Sequence, residues 1–257
     1  MDLKGKTVVI TGATSGIGEA CALAFAEKGS GLVLTARRKE ILDKMVQEIK
    51  GKYGVPVEVF TLDVRSQKAV FAFAQELAGK NLVPDVLVNN AGLARGLSKL
   101  HEGDTEEWDE MIDTNVKGLL YVSRALLPQM IARNYGHVVN IGSIAGRVVY
   151  PGGNAYNASK FAVDAINQGM NLDLLGTNIR ASLIEPGMVK TNFSMVRFAG
   201  DQKRSDSVYD GVRYLTAKDI ADTIIFVVQA PDHVNIQSLL IMPTDQRNPY
   251  VIHREKK

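Results

Sequence analysis

Cysteine is almost missing from this 257-residue sequence: Cys21 stands alone, which excludes a disulfide framework and a cysteine-rich zinc site. Histidine is nearly as scarce, and His101, His137, His233 and His253 lie far apart, with no helical pair to hold a metal. Charge of one sign is lacking too; a formal balance of +2 is too small to suggest nucleic acid or an anionic membrane as the main partner. No apolar run approaches the ~20 residues of a membrane span. The opening "MDLKGKTVVI" carries charges where a secretory signal would need a continuous apolar stretch. The expectation is a cytoplasmic protein with a small-molecule partner and no metal. The only charge run, "HREKK" at the C-terminus, reads as a solvated tail.

What is present is an apolar share of 46%, ample for a core. Short β-rich runs at 7–11, 31–36, 55–62, 85–90, 137–142, 179–185 and 238–242 alternate with helical patterns at 17–28, 39–50, 67–78, 106–132, 156–175 and 218–229. The strand runs are continuously apolar, as expected when both faces of a sheet are covered. Strand–helix–strand repetition implies parallel pairing with right-handed crossovers. The expected fold is α/β: one doubly wound domain over 1–257, with a seven-stranded parallel sheet and helices on both faces. The rhythm breaks over 186–216, a stretch long enough to be a functional loop, and 243–257 forms a C-terminal tail.

"TGATSGIG" (11–18) puts Gly12, Gly16 and Gly18 between the first strand and its helix. Glycines there let the chain turn sharply and let backbone N–H groups approach a pyrophosphate at the helix N-terminus. The second strand sharpens the cofactor expectation. A carboxylate at its end would take a ribose 2′-hydroxyl and repel a 2′-phosphate, but here Ala36 is followed by Arg37 and Arg38. Guanidinium groups at that place favour NADP(H).

"NAYNASKFAVDAINQG" (154–169) puts Tyr156 and Lys160 on one helical face, where a phenol beside an ammonium can serve as a proton-transfer device. A free phenol titrates near ~10, so work near neutral pH asks for roughly 4 kcal/mol in favour of phenolate. An ammonium about 5 Å away, at an effective dielectric of ~20, supplies about 3 kcal/mol of that.

Taken in order, "TGATSGIG", "LDV" (62–64), "NNAG" (89–92), "TNVKG" (114–118), "NIGSIAG" (140–146), "YNASK" (156–160) and "EPGMVKT" (185–191) resemble the short-chain dehydrogenase/reductase family nearly end to end. The resemblance implies a Rossmann fold and a catalytic set of Ser143, Tyr156 and Lys160, with Asn115 supporting the lysine through a water chain. It implies that Thr14, Ser15 and Ile17 join the glycine loop and that Asp63 and Val64 meet the adenine. Asn89 and Asn90, with Ala91 and Gly92, would line the cofactor, and Pro186, Gly187, Val189 and Thr191 would hold the nicotinamide amide. Helices 106–132 and 156–175 would build a four-helix dimer seam within a homotetramer.

"GSIAGR" (142–147), "YPGGNAY" (150–156), "SMVRFAGD" (194–201) and "APDHVNIQSLLIMPTDQ" (230–246) are similar to a narrower branch of the family. Its members are NADP-dependent 3-hydroxy acid dehydrogenases of serine and allo-threonine, which work in reverse as malonic semialdehyde reductases. That branch leads one to expect an acidic residue near Lys190 and Asn192, and this chain has none there. Such a substrate needs a cation for its carboxylate. Arg147, four residues past Ser143, is the first candidate and Arg197 the second, with Arg95 and Lys190 behind them. Met188, Phe193 and Phe198 are expected to form an apolar wall or lid that excludes water. Reduction of bulkier ketones, and NADP(H) sensing without chemistry, are the competing readings; retention of both Tyr156 and Lys160 argues against sensing.

Arg37 and Arg38 generate the first prediction. One charge-assisted contact to the 2′-phosphate contributes ~1.5–3 kcal/mol, so catalytic efficiency should favour NADP over NAD by roughly tenfold to a hundredfold. Steady-state kinetics with both nucleotides checks this, and Arg37→Asp should erode the preference.

Overall fold

The computed structural model describes residues 1–255; Lys256 and Lys257 of the C-terminal charge run lie outside the described residues. Along the chain run β1 (Thr7–Thr11), α1 (Gly16–Glu27), β2 (Gly31–Ala36), α2 (Lys39–Tyr53), β3 (Val57–Thr61), α3 (Gln67–Gly79), β4 (Val86–Asn89), α4 (Thr105–Ile112), α5 (Leu119–Arg133), β5 (Gly136–Ile141), α6 (Asn154–Asp173) and β6 (Ile179–Pro186). After these come β7 (Val189–Lys190), α7 (Phe193–Arg197), α8 (Gln202–Ser207), β8 (Leu215–Thr216), α9 (Ala217–Gln229) and β9 (Ser238–Ile241).

Seven strands pair in the order β3-β2-β1-β4-β5-β6-β9, every pair parallel. Alternation along each strand divides the core into two layers. Val8, Ile10, Leu32, Leu34, Val86 and Val88 face α1, α2 and α9 through Phe25, Leu42 and Ile224. Val9, Val33, Leu87 and Val138 face α3, α5 and α6 through Phe73, Leu126 and Met170. Burial on both faces is why the strands read as unbroken apolar runs. Strand order reverses between β1 and β4, which opens a crevice at the carboxyl ends of those strands.

Two expectations change. The helical pattern over 106–132 is not one helix: α4 passes into a π-turn at Asp113–Gly118 before α5 begins. An apolar period near 3.6 does not register one extra residue in a turn, and such bulges gather at functional sites. The irregular stretch 186–216 is built from β7, α7, α8 and β8, with β7 and β8 pairing as a two-stranded ribbon.

The first βα turn depends on glycine at two places for different reasons. Gly12 lies at φ +66°, with room for a Cβ only 3.0 Å from the Cα of Ala91. Gly18 lies inside α1, and a Cβ there would fall on the Gly12 carbonyl oxygen and the Asn90 amide that bonds to it. Gly18→Ala should therefore cost about 1–3 kcal/mol through overpacking, measured by chemical denaturation.

Candidate active site

A cavity of ≈ 1170 Å³ opens at the carboxyl ends of the strands, from the glycine turn at one end to α7 and the C-terminal segment at the other. At the glycine end it is lined by Gly12, Thr14, Ser15, Gly16, Ile17, Arg37 and Arg38. Ser15, the N-cap of α1, makes no side-chain capping bond, so the first N–H groups of that helix keep their capacity for an anion. Gly16 is at φ +58°, where a Cβ would come 3.2 Å from Thr191; the absence of that Cβ leaves the helix end approachable. Arg38 is tied back by Nη2 to the Thr14 carbonyl and hydroxyl, at 3.3 and 2.9 Å, which aims its guanidinium along the mouth of the turn.

Further along, Asp63, Val64, Asn90, Ala91 and Gly92 form one wall, and Pro186, Gly187, Val189 and Thr191 the opposite one. The Arg65 guanidinium holds the Asp63 carboxyl below the usual carboxylate range. Asn89 is not on the wall: it is buried beneath it, its amide bonded to Ser123 at 3.0 Å and Asn140 at 2.9 Å. Strand alternation sends its side chain to the opposite face. Gly18 also stays out of the lining, and its part is packing.

The substrate end assembles Ser143, Tyr156 and Lys160. Ser143 caps the short turn Ile144–Gly146 and accepts a hydrogen bond from the Ala145 N–H at 3.1 Å. Tyr156 and Lys160 sit in the first two turns of α6, both 7% exposed. Burial is the largest influence on each. It pushes the Tyr156 phenol well above its usual value, reinforced by Tyr150, while Ser143 and Arg197 pull the other way. It pushes the Lys160 ammonium down to about 8. The lysine donates to the Ile141 carbonyl at 2.8 Å and stands 5.9 Å from the Tyr156 ring centroid. Burial therefore works against the phenolate that the ammonium is expected to favour.

Asn115, in the π-turn, reaches neither the cavity wall nor Lys160 directly. Its amide is locked to the Leu93 backbone, 2.8 Å in both directions, and donates to Ser159 at 3.0 Å. It clamps the strand end after β4 to Ser159, the residue next to Lys160.

Arg147 is corrected. It does not line the cavity; its Nε donates to Glu185 at 2.8 Å, and its Nη2 bonds to Glu185 and Ser238. The Glu185 carboxylate, 1% exposed, is the partner Arg147 is committed to. Arg197 does line the cavity. Its Nε donates to the Gly96 carbonyl at 2.9 Å, its Cζ stands 5.4 Å from the Tyr150 ring centroid and 5.6 Å from that of Tyr156, and its Nη2 is buried without a hydrogen bond. Arg95 is bound to Glu110 and Val196, and Lys190 stacks 5.0 Å from the Tyr214 ring centroid. Met188, Phe193 and Phe198 line the cavity as expected, Phe193 with its ring centroid 5.6 Å from that of Tyr156.

Sequence reasoning missed Tyr150 and the C-terminal segment. Gln246, Pro249, Tyr250, Ile252 and Arg254 all line the cavity. Arg254, read as part of a solvated run, donates to the carbonyls of Asp210 and Val208. The Arg213–Asp245 pair, 2.6 Å, pins the segment to the loop it covers. The "PY" of "RNPYVI" was the one available signal, an apolar break in a polar tail. Among the described residues there is no cluster of three or more His, Cys, Asp or Glu able to hold a metal.

A parallel α/β sheet with a glycine turn at its switch point, and with serine, tyrosine and lysine converging beside it, defines a dinucleotide-linked dehydrogenase of the short-chain type. The profile of the short chain dehydrogenase family matches residues 6–202, and the chain belongs to that family. It is 44% identical to the NADP-dependent 3-hydroxy acid dehydrogenase YdfG of Salmonella typhi over 240 residues, 93% of this chain and 95% of that one. It is 45% identical to a sulfoacetaldehyde reductase of Chromohalobacter salexigens, covering 93% and 94%. Among solved structures, the closed form of a serine dehydrogenase complexed with NADP+ superposes with a TM-score of 0.90 at 41% identity, covering 97% of this chain and all of that one.

The pH response follows from burial of the pair. On the proposal that Tyr156 transfers the proton, oxidation of a hydroxyl uses the phenolate, and because burial raises that phenol the rate should still be climbing at the alkaline end of the pH range. Where a carbonyl is reduced the phenol works beside an ammonium, and the rate should fall as Lys160 loses its proton above about 8. Tyr156→Phe should abolish turnover in both directions while NADPH binding, followed by its fluorescence, changes little.

Proposed function

We propose that this chain is an NADP(H)-dependent oxidoreductase, exchanging hydride between the nicotinamide and the 3-hydroxyl or 3-oxo carbon of small hydroxy acids such as serine, allo-threonine or 3-hydroxypropionate. The observation that carries this reading is a guanidinium on the cavity wall beside the reacting groups: Arg197 lines the cavity with its Cζ 5.6 Å from the Tyr156 ring centroid. A guanidinium on that wall can take a substrate carboxylate in a charge-assisted pair. Two of the relatives named above are a 3-hydroxy acid dehydrogenase and a serine dehydrogenase, which agrees with it.

The glycine turn, the open end of α1, Arg37 and Arg38 would hold the pyrophosphate and the 2′-phosphate, and Asp63 and Val64 the adenine side. The dinucleotide, when bound, supplies or accepts the hydride. The protein does the rest. Ser143 donates a hydrogen bond to the carbonyl oxygen and polarises it. In reduction the Tyr156 phenol gives its proton to that oxygen as the carbon receives hydride, and in oxidation the phenolate takes it back. The Lys160 ammonium offsets the phenolate charge, Arg197 orients the acid group, and Met188, Phe193 and Phe198 exclude water.

A sulfonate analogue of the same acids is the second reading, supported by the sulfoacetaldehyde reductase relative and by the match of a guanidinium to either oxyanion. Assembly as a cytoplasmic homotetramer belongs to the proposal. The outer faces of α5 and α6 carry exposed Leu120, Ile131, Phe161 and Leu172, with Leu175 exposed just past α6, apolar area that a helix seam would cover, and the lone buried thiol of Cys21 suits a reducing compartment.

Arg197→Leu should raise KM for 3-hydroxypropionate at least about tenfold, the loss of one charge-assisted contact, while a neutral ketone of similar size is reduced nearly as before. Parallel loss on both substrates would remove Arg197 from acid recognition. Turnover of sulfoacetaldehyde but not malonic semialdehyde would favour the sulfonate.

A further inference from the structure

One carboxylate, Glu110 on α4, faces three guanidinium groups. Arg95 binds it through Nε at 2.6 Å and more loosely through Nη2 at 3.4 Å. Arg65 approaches its Oε1 to 3.7 Å and Arg37 approaches the same oxygen to 3.8 Å. The Arg guanidiniums together hold Glu110 below the usual carboxylate range, Arg95 most strongly. The three differ in freedom. Arg65 is pinned at 2.6 Å by Asp63, and Arg95 has a second attachment, its Nη1 donating to the Val196 carbonyl of α7 at 2.7 Å. Arg37 is more than half exposed and has no other hydrogen-bond or ion-pair partner among the described residues.

The stitching at Arg95 continues along the chain. Gly96 N–H donates to the Arg197 carbonyl at 3.0 Å, and Arg197 Nε donates back to the Gly96 carbonyl at 2.9 Å. Residues 95 and 96 thus hold the short helix that carries Arg197 and Phe193 over Tyr156, and they are held in turn by the carboxylate that Arg37 shares.

We propose that Arg95 is a positioning residue that transmits occupancy of the 2′-phosphate site to the substrate helix α7 through the shared carboxylate of Glu110. The inference rests on the NADP(H) reading of the cofactor site. A 2′-phosphate draws Arg37, the one unpinned guanidinium, away from Glu110 and repels the carboxylate toward Arg95. Both effects free Oε1 for Arg95 Nη2 and complete a two-point fork, which fixes the plane of the guanidinium and the direction of its Nη1 donor to Val196. A nucleotide without the phosphate leaves Arg37 as a competitor, and α7 stays more loosely held. NADP and NAD would then differ in how well they order the substrate helix as well as in how tightly they bind, and the coupling is reciprocal.

Amide hydrogen exchange on the full chain, without substrate, tests this. At saturating nucleotide, amides over 193–198 should exchange at least about fivefold more slowly with NADP+ than with NAD+, the lower end of ordinary coupling between sites. Arg95→Met and Glu110→Gln should each abolish that difference while NADP+ still binds by calorimetry, and Arg95→Lys, which keeps the charge without the fork, should restore only part of it. Should Arg95→Met fail to fold, Glu110→Gln decides. Equal protection by both nucleotides in the unmodified protein would overturn the inference, as would a difference that survives in Glu110→Gln. Failure of the unmodified protein to bind NADP+ would overturn the cofactor reading and the inference with it.

Discussion

Everything at this site depends on taking a phenol and an ammonium out of water at the start of α6. Burial favours the neutral form of each, raising Tyr156 and lowering Lys160 to about 8. For the lysine that displacement corresponds to roughly 3 kcal/mol against its charged form. The Ile141 carbonyl offsets part of it. A phenolate at Tyr156, whose ring centroid stands 5.9 Å from the ammonium, would offset part of the remainder, because opposite charges attract more strongly in a dry site. Burial thus sets a phenol that resists ionisation beside an ammonium whose charge is weakly held.

The surrounding architecture keeps that pair dry and aligned. β5 ends at the Ile141 carbonyl and leads to Ser143, β4 ends in the segment that Asn115 clamps, and β6 runs out into the wall from Pro186 to Thr191. All three deliver their residues at the same edge because the strands are parallel. The π-turn in the helical stretch at 113–118 belongs to the same arrangement: it sets the Asn115 side chain against both Leu93 and Ser159.

The two arginines first considered for acid recognition show how partner choice divides residues of one chemistry. Arg147 stands four residues from Ser143 yet spends its donors on the buried Glu185, a pair whose rupture would strand a carboxylate. Arg197 lies far along the chain and arrives at Tyr156 because α7 docks on Gly96, which sets its guanidinium on the cavity wall. Arg95 is a third outcome, shared between Glu110 and the α7 backbone.

Local chemistry was legible in the sequence by itself: the strand and helix alternation, the glycine turn, the basic end of β2, and tyrosine and lysine one helical turn apart. Each depends on neighbours within a few residues or on a period, and backbone sterics and side-chain spacing make such signals readable. The Asn89 and Asn90 side chains could not be separated until strand alternation was seen, because adjacent residues differ only in which face they take. The tertiary structure alone decided the rest. Glu185 claims Arg147 across 38 residues, Gly96 claims Arg197 across 101, and the C-terminal segment covers the cavity through Arg213 and Asp245. Ion pairs and buried hydrogen bonds are set by distance in space and by desolvation. Both exist only once the chain has folded.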